Sequence, residues 1–159
     1  MTQPANPEFS NPADEIPGVM FVDHVAIAVP RGTLDEQVAA YGLLGFKEIH
    51  RETIGGRDQV RESLLQVGGG PNLIQLTEPM SPESPVQKAI DRNGGKGGLN
   101  HIAFRVRDIH AAFKHLKEKR FQILDDAPRP GSRGTTVFFI HPKGLAETPL
   151  NVLIEVVQE

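Results

Sequence analysis

The chain has 159 residues, 38% of them hydrophobic and 23% charged, with a formal net charge of −3 at pH 7 and no cysteine. That length suffices for one domain, or two small fused modules, with a core of their own. The composition excludes a disordered or membrane-spanning chain, the charge excludes general nucleic-acid binding, and the missing cysteines exclude disulfides and thiolate metal sites.

Residues 1–18 carry prolines at 4, 7, 12 and 17 among Asn, Ser, Asp and Glu, and read as a flexible tail. Val19 to Val29 is dominated by β-formers and alanines and reads as a strand covered on both faces, ended by Pro30. Thr33-Leu-Asp-Glu36 has the pattern of a capping box, and Leu34, Val38 and Tyr41 give the helix it opens an apolar stripe. Gly42 and Gly45 break that helix; strands follow at Phe46 to Glu52, Val60 to Val67 and Asn72 to Thr77. Residues 81–98 form a linker, with Ser84-Pro85 opening a short helix to about Arg92 and a Gly-rich run closing it. Leu99 to Val106 is again a strand. Asp108 caps a helix whose Ile109, Ala112, Phe113 and Leu116 share one face. Strands are expected at Phe121 to Asp125, Thr135 to His141 and Asn151 to Val157, with a turn-rich loop at 127–131.

Both halves therefore read β-α-β-β-β, about 19–80 and 99–159. Matching residues keep nearly constant offsets: His24 to His101 spans 77 residues, Phe46 to Phe121 75, and Gln75 to Glu155 80. The expected fold class is α+β, two tandem βαβββ modules forming a curved mixed sheet within a single domain, 19–159.

In each half the first strand offers a histidine after a small polar residue, as Asp23-His-Val-Ala26 and Asn100-His-Ile-Ala103. The last strand of each sets a polar residue among aliphatics, as Leu73-Ile-Gln-Leu76 and Leu153-Ile-Glu-Val156. Gln75 or Glu155 alone could simply face water. The repetition of the pairing favours a shared site, because a polar group in such a run is costly to bury unpaired. Two imidazoles, an amide and a carboxylate suit a divalent ion such as Co²⁺, Mn²⁺, Ni²⁺ or Zn²⁺, and the donor set does not choose among them. His50, His110 and His115 read as surface residues. The Gly68 and Gly94 runs lack the strand-to-helix context of a phosphate loop.

On these residues the chain resembles the vicinal oxygen chelate superfamily, the glyoxalase fold. Within it, the chain resembles the methylmalonyl-CoA epimerase family from about residue 20 onward. The stretches that carry the likeness are Asp-His-Val-Ala (23–26), Gln-Val-Arg-Glu-Ser-Leu-Leu (59–65), Gln-Leu-Thr-Glu-Pro (75–79), Gly-Leu-Asn-His-Ile-Ala (98–103), Phe-Ile-His-Pro-Lys (139–143) and Leu-Ile-Glu-Val (153–156). The resemblance implies metal ligands at His24, Gln75, His101 and Glu155, with Co²⁺ favoured, and catalytic carboxylates at Glu62 and Glu155. It implies epimerisation of methylmalonyl-CoA, in which one base works on each face of the carbon between thioester and carboxylate. His141 and Lys143, and loop Arg129 and Arg133, are candidates for binding the acyl-CoA substrate, though loop arginines are usually just solvated. Asn100 stands where the family often has a second histidine, and the 144–150 loop is longer than the pattern suggests.

A glyoxalase-type isomerase acting on a glutathione thioacetal would not need Glu62. An extradiol dioxygenase would leave Gln75 unexplained. A metal-free resistance protein of the same fold would want more aromatic residues than the 6% present. No apolar run spans a bilayer and no signal pattern opens the chain, so a cytoplasmic protein is expected; the resemblance, and open β-modules that need a covering surface, imply a homodimer with a small-molecule partner.

Overall fold

The computed structural model describes residues 15–159. The β-branched and alanine-rich run at the start of each half forms the central pair of strands, β1 (Val19–Ala28) and β5 (Gly98–Val106), which lie antiparallel. After β1 come α1 (Leu34–Gly42), β2 (Lys47–Ile54), β3 (Val60–Gln66), β4 (Leu73–Pro79) and α2 (Pro85–Arg92). After β5 come α3 (Ile109–Glu118), the two-residue β6 (Arg129–Pro130), a single 3₁₀ turn (Ser132–Gly134), β7 (Thr136–Ile140) and β8 (Leu153–Gln158). The described strands make one eight-stranded curled sheet in the order β2-β3-β4-β1-β5-β8-β7-β6.

The repeat extends to the register. β4 runs parallel to β1 with Gln75 opposite Ala26, and β8 runs parallel to β5 with Glu155 opposite Ala103. In both modules the partner of the last-strand residue lies two places after the histidine. Strand alternation then separates two faces. Ile154 and Val156 turn to the helix side, where they pack with Ile109, Ala112, Leu116 and Phe138. Glu155 between them turns the other way. The same alternation in the first module sends Leu76 to a second cluster with Leu34 and Leu65, and leaves Gln75 on the site face. Phe113 meets Phe138 edge to face at 5.2 Å, the arrangement that ring quadrupoles favour. β2, at an edge of the sheet, carries Lys47, Glu48, His50, Arg51 and Glu52, which discourages pairing with another chain. No helix among the described residues is long and apolar enough to cross a membrane.

Three expectations change. The Thr33 capping box does not form: its hydroxyl donates to Pro30 O, and the Leu34 N–H is taken by Glu78 Oε2 at 2.8 Å. A carboxylate 44 residues away, itself paired with Arg61 at 2.8 Å, thus does the work of a local cap. The strand expected at Phe121–Asp125 shrinks to one bridge, Ile123 to Ile140. The segment does run beside β7, but the Phe139 N–H bonds to the Asp125 carboxylate at 2.8 Å instead of a backbone carbonyl, and the ladder ends there. A two-residue strand, β6, forms in what reads as a loop. Of the expected tail, residues 1–14 lie outside the described residues; farther on, Ile16 packs against the second module's core and Gly18 O accepts the Arg107 N–H at 3.0 Å.

Candidate active site

The β1–β5 pairing sets His24 opposite Ala103 and His101 opposite Ala26, so two histidines 77 residues apart face each other across small side chains. Their Nε2 atoms are 3.2 Å apart. Glu155 Oε2 closes a triangle, 3.0 Å from His24 Nε2 and 2.9 Å from His101 Nε2. All three residues are buried. With metal–donor bonds of about 2.1 Å, neighbouring corners of an octahedron stand roughly 3.0 Å apart, so one divalent ion could take all three atoms without rearrangement.

Gln75 carries a further candidate oxygen. Its Oε1 is buried and has no hydrogen-bond partner, while its Nε2 donates to Glu62 Oε2 at 3.2 Å. Orphaned acceptors in folded interiors are rare and call for an explanation; a cation is one that suits an unpartnered amide oxygen. His24, His101 and Glu155 therefore converge as the sequence repeat suggests, Gln75 sits opposite Ala26 on the neighbouring strand, and this donor set fits a divalent ion.

Electrostatics separate the two carboxylates. Glu62, half-buried on β3, has its pKa pushed up to about 7, first by burial and then by the charge of Glu155. A hydrogen bond from Ser132 opposes the rise. For Glu155 burial also favours the neutral acid, but the bonds from His101 and His24 outweigh it and hold the carboxyl well below its usual range. Burial likewise works against a charged His24, yet Asp23 and Glu155 raise it to about 9. One carboxylate is thus poised near neutrality and the other is held ionised, the kind of separation that assigns acid and base roles.

Glu62, Thr77, His101 and Phe139 line a cleft of about 810 Å³, walled on one side by Val86 and Ala89 of α2. His141 and Arg129 also line it, as do Asn151 and Val152 just after the long loop. Arg129 is engaged there, with Asp125 at 2.8 Å, Asp58 at 3.0 Å and the Phe139 ring 5.4 Å from its guanidinium carbon. Lys143 is exposed and absent from the cleft wall. Arg133 turns inward to Asp23 at 3.2 Å and lies apart from the cleft lining.

Sequence reasoning missed two supports. Asp23 Oδ2 lies 2.7 Å from His24 Nδ1, and Asn100 Oδ1 lies 2.7 Å from His101 Nδ1. The signal was present, since a small polar residue precedes each histidine; on a regular strand, however, that neighbour would point away. It also missed the Arg57–Asp125–Arg129–Asp58 clasp between the modules, which nothing local encodes.

Two βαβββ modules sharing one His-His-Glu site define a class. The chain belongs to the Glyoxalase/Bleomycin resistance protein/Dioxygenase superfamily, whose family model matches residues 23–139. Within that superfamily it belongs to the methylmalonyl-CoA epimerase family. It is 30% identical over 154 residues to the mitochondrial methylmalonyl-CoA epimerase of Homo sapiens, covering 94% of this chain and 82% of that protein. The crystal structure of methylmalonyl-CoA epimerase from Mycobacterium tuberculosis superposes with a TM-score of 0.79 at 34% identity, covering 91% of each chain. A variant of the Streptomyces coelicolor methylmalonyl-CoA epimerase in complex with 2-nitronate-propionyl-CoA gives 0.77 at 33% identity, covering 89% of this chain and 98% of that one.

Proposed function

We propose that the protein interconverts (2R)- and (2S)-methylmalonyl-CoA, one of Glu62 and Glu155 taking the C2 proton while the other, protonated, returns a proton to the opposite face. The observation that carries this reading is Glu62: a recessed carboxylate with a pKa of about 7 that lines the cleft, bonded to Gln75 and set apart from the imidazole triangle. His24, Gln75, His101 and Glu155 are the residues that would hold a divalent ion, Co²⁺ in the first instance. The ion would supply Lewis acidity at the thioester carbonyl oxygen, stabilising negative charge there by several kcal/mol.

The chain's own residues then account for the proton. Glu62 on β3 and Glu155 on β8 approach from opposite sides of the central strand pair. Each can face one side of a carbon held between them. A group with a pKa near 7 both accepts and returns a proton at little cost around neutral pH, which fits Glu62 to work in either direction. Glu155, kept ionised, is ready to accept from the other face. Val86, Leu99, Leu124 and Phe139 give the cleft an apolar wall for the pantetheine arm and limit water near the reacting carbon. His141 and Arg129 are the substrate contacts we retain from the lining.

The test is deuterium exchange. Either epimer of methylmalonyl-CoA incubated with the protein in D₂O should take deuterium into C2. Glu62→Gln should slow that exchange by about 10²–10⁴-fold while metal stays bound, and His101→Ala should lose both exchange and metal. Full-rate exchange in Glu62→Gln refutes the two-base assignment. A cytoplasmic homodimer completes the proposal; sedimentation of a monomer at micromolar concentration would count against the dimer.

A further inference from the structure

The central ladder breaks step three times, once near its end between Val19 and Phe21 and twice at related places beside the histidines. On β1, Val22 pairs with Phe104 and His24 with Ala103, so Asp23 is an extra residue. On β5, Ala26 pairs with His101 and Ile27 with Leu99, so the extra residue is Asn100. Each bulged residue stands immediately before a histidine of the triangle. Neighbours on a regular strand point to opposite faces; a bulge releases that constraint and re-aims a side chain. Here it lets Asp23 and Asn100 reach the ring beside them, each 2.7 Å from Nδ1.

The chemistry of the contact is directional. A carboxylate has only acceptors, and the Asn100 atom at His101 is its carbonyl oxygen. An acceptor at Nδ1 requires that this nitrogen carry the hydrogen. The neutral ring then has its lone pair on Nε2; both Nε2 atoms meet Glu155, an acceptor that competes for that hydrogen until a cation takes the lone pairs. We propose that Asp23 and Asn100 are positioning residues, placed by paired bulges, that fix both imidazoles as the Nδ1–H tautomer and aim both Nε2 lone pairs at one divalent cation.

The two supports are unequal. Asp23 is anchored by Arg105, at 2.8 Å from Nε and 2.5 Å from Nη2, and by Arg133 at 3.2 Å. Arg133 comes from the second module, in the 3₁₀ turn that also holds Ser132 beside Glu62. The first module's histidine is therefore oriented by an anion that the second module helps to hold. Asn100 is neutral, and its side chain bonds to His101. Removing a support of this kind typically weakens metal binding 10–100-fold.

The inference rests on the proposed metal site for its affinity arm alone, so tautomers and affinity are measured separately. Histidine ¹⁵N spectra of the metal-free protein, taken where both rings are neutral, report which nitrogen carries hydrogen. Chelator competition reports Zn²⁺ affinity. Asn100→Leu leaves the Asp23–arginine cluster untouched and is the cleaner variant. It should shift His101 toward the Nε2–H form that Glu155 accepts, leave His24 unchanged and weaken Zn²⁺ about 10–100-fold. Asn100→Asp should restore the Nδ1–H form and the affinity. Asp23→Asn should keep the His24 tautomer through its amide oxygen while losing affinity. Wild-type affinity together with unchanged His101 signals in Asn100→Leu overturns the proposal. A wild-type protein that binds no Zn²⁺ overturns the metal-site reading instead, and a loss of the His101 tautomer in Asn100→Leu then supports the positioning role by itself.

Discussion

Glu62→Gln should make the metal-free protein more stable above neutral pH while slowing its reaction by orders of magnitude. The ordinary glutamate value is 4.5, and in the fold Glu62 rises to about 7. Between those values the unfolded chain has released its proton and the folded chain still holds it. A raised carboxyl pKa therefore adds stability that is fully present below 4.5 and is lost as pH climbs through about 7. At about 1.4 kcal/mol per pH unit, the window from 4.5 to about 7 gives a loss of about 3.5 kcal/mol. The partial exposure of Glu62 reduces it to about 2 kcal/mol. The Glu62→Gln variant keeps an acceptor for the Gln75 amide and has nothing to titrate at this position, so it escapes the loss. Urea unfolding of both metal-free proteins at pH 4.5 and pH 8 supplies the measurement, since the other titrating groups cancel between them. The variant should gain about 2 kcal/mol on wild type in going from pH 4.5 to pH 8. Equal pH dependence in the two proteins would show that Glu62 titrates like a solvated glutamate, and the case for its tuned basicity would fail.

Three further perturbations probe other parts of the structure. Gln75→Leu removes the orphaned Oε1; the metal-free protein should hold its stability or gain up to about 1 kcal/mol, while metal retention against a chelator falls at least about tenfold. A destabilised variant that keeps its metal would contradict this. Asp125→Ala removes one partner from each of two guanidiniums and strands the Phe139 N–H, and should cost about 1–3 kcal/mol in denaturant unfolding. Burial raises the Asp125 pKa, but Arg129, Phe139 N–H and Arg57 outweigh it and bring it below the ordinary 3.8. The stabilisation is thus present above that value, and the gap to wild type should close as pH falls below it. Phe138→Ala, at a fully buried position on the helix side of the sheet, should cost about 4 kcal/mol. Zn²⁺ affinity should be unchanged, because Phe138 faces away from the site.

Periodicity and duplication made much of the site readable before any coordinates. Alternation along Leu153-Ile-Glu-Val156 marks Glu155 as the residue that leaves the core face, and the offset to Gln75 makes the two equivalent. The α3 stripe and the Ser84 and Asp108 caps were legible because helix periodicity and capping act within a few residues. What failed was local signal overruled from afar. Thr33 followed by Glu36 has the form of a cap, yet Glu78 arrives from β4 with the better geometry. Phe121–Asp125 has strand composition, yet the Asp125 side chain takes the ladder's place and holds two arginines.

The sequence alone determined the two modules and the four candidate donors, since repeat spacing and side-chain chemistry are properties of the chain as written, while Glu62 followed from the family resemblance. Only the tertiary structure decided that His24 and His101 stand 3.2 Å apart, that Gln75 Oε1 is left without a partner and that burial lifts Glu62 toward neutrality. It also decided that bulges at Asp23 and Asn100 turn two strand neighbours into supports for the rings. Each of these depends on strands that are distant in sequence meeting in one register, and pairing energy of that kind is spread over the whole sheet instead of residing in any segment.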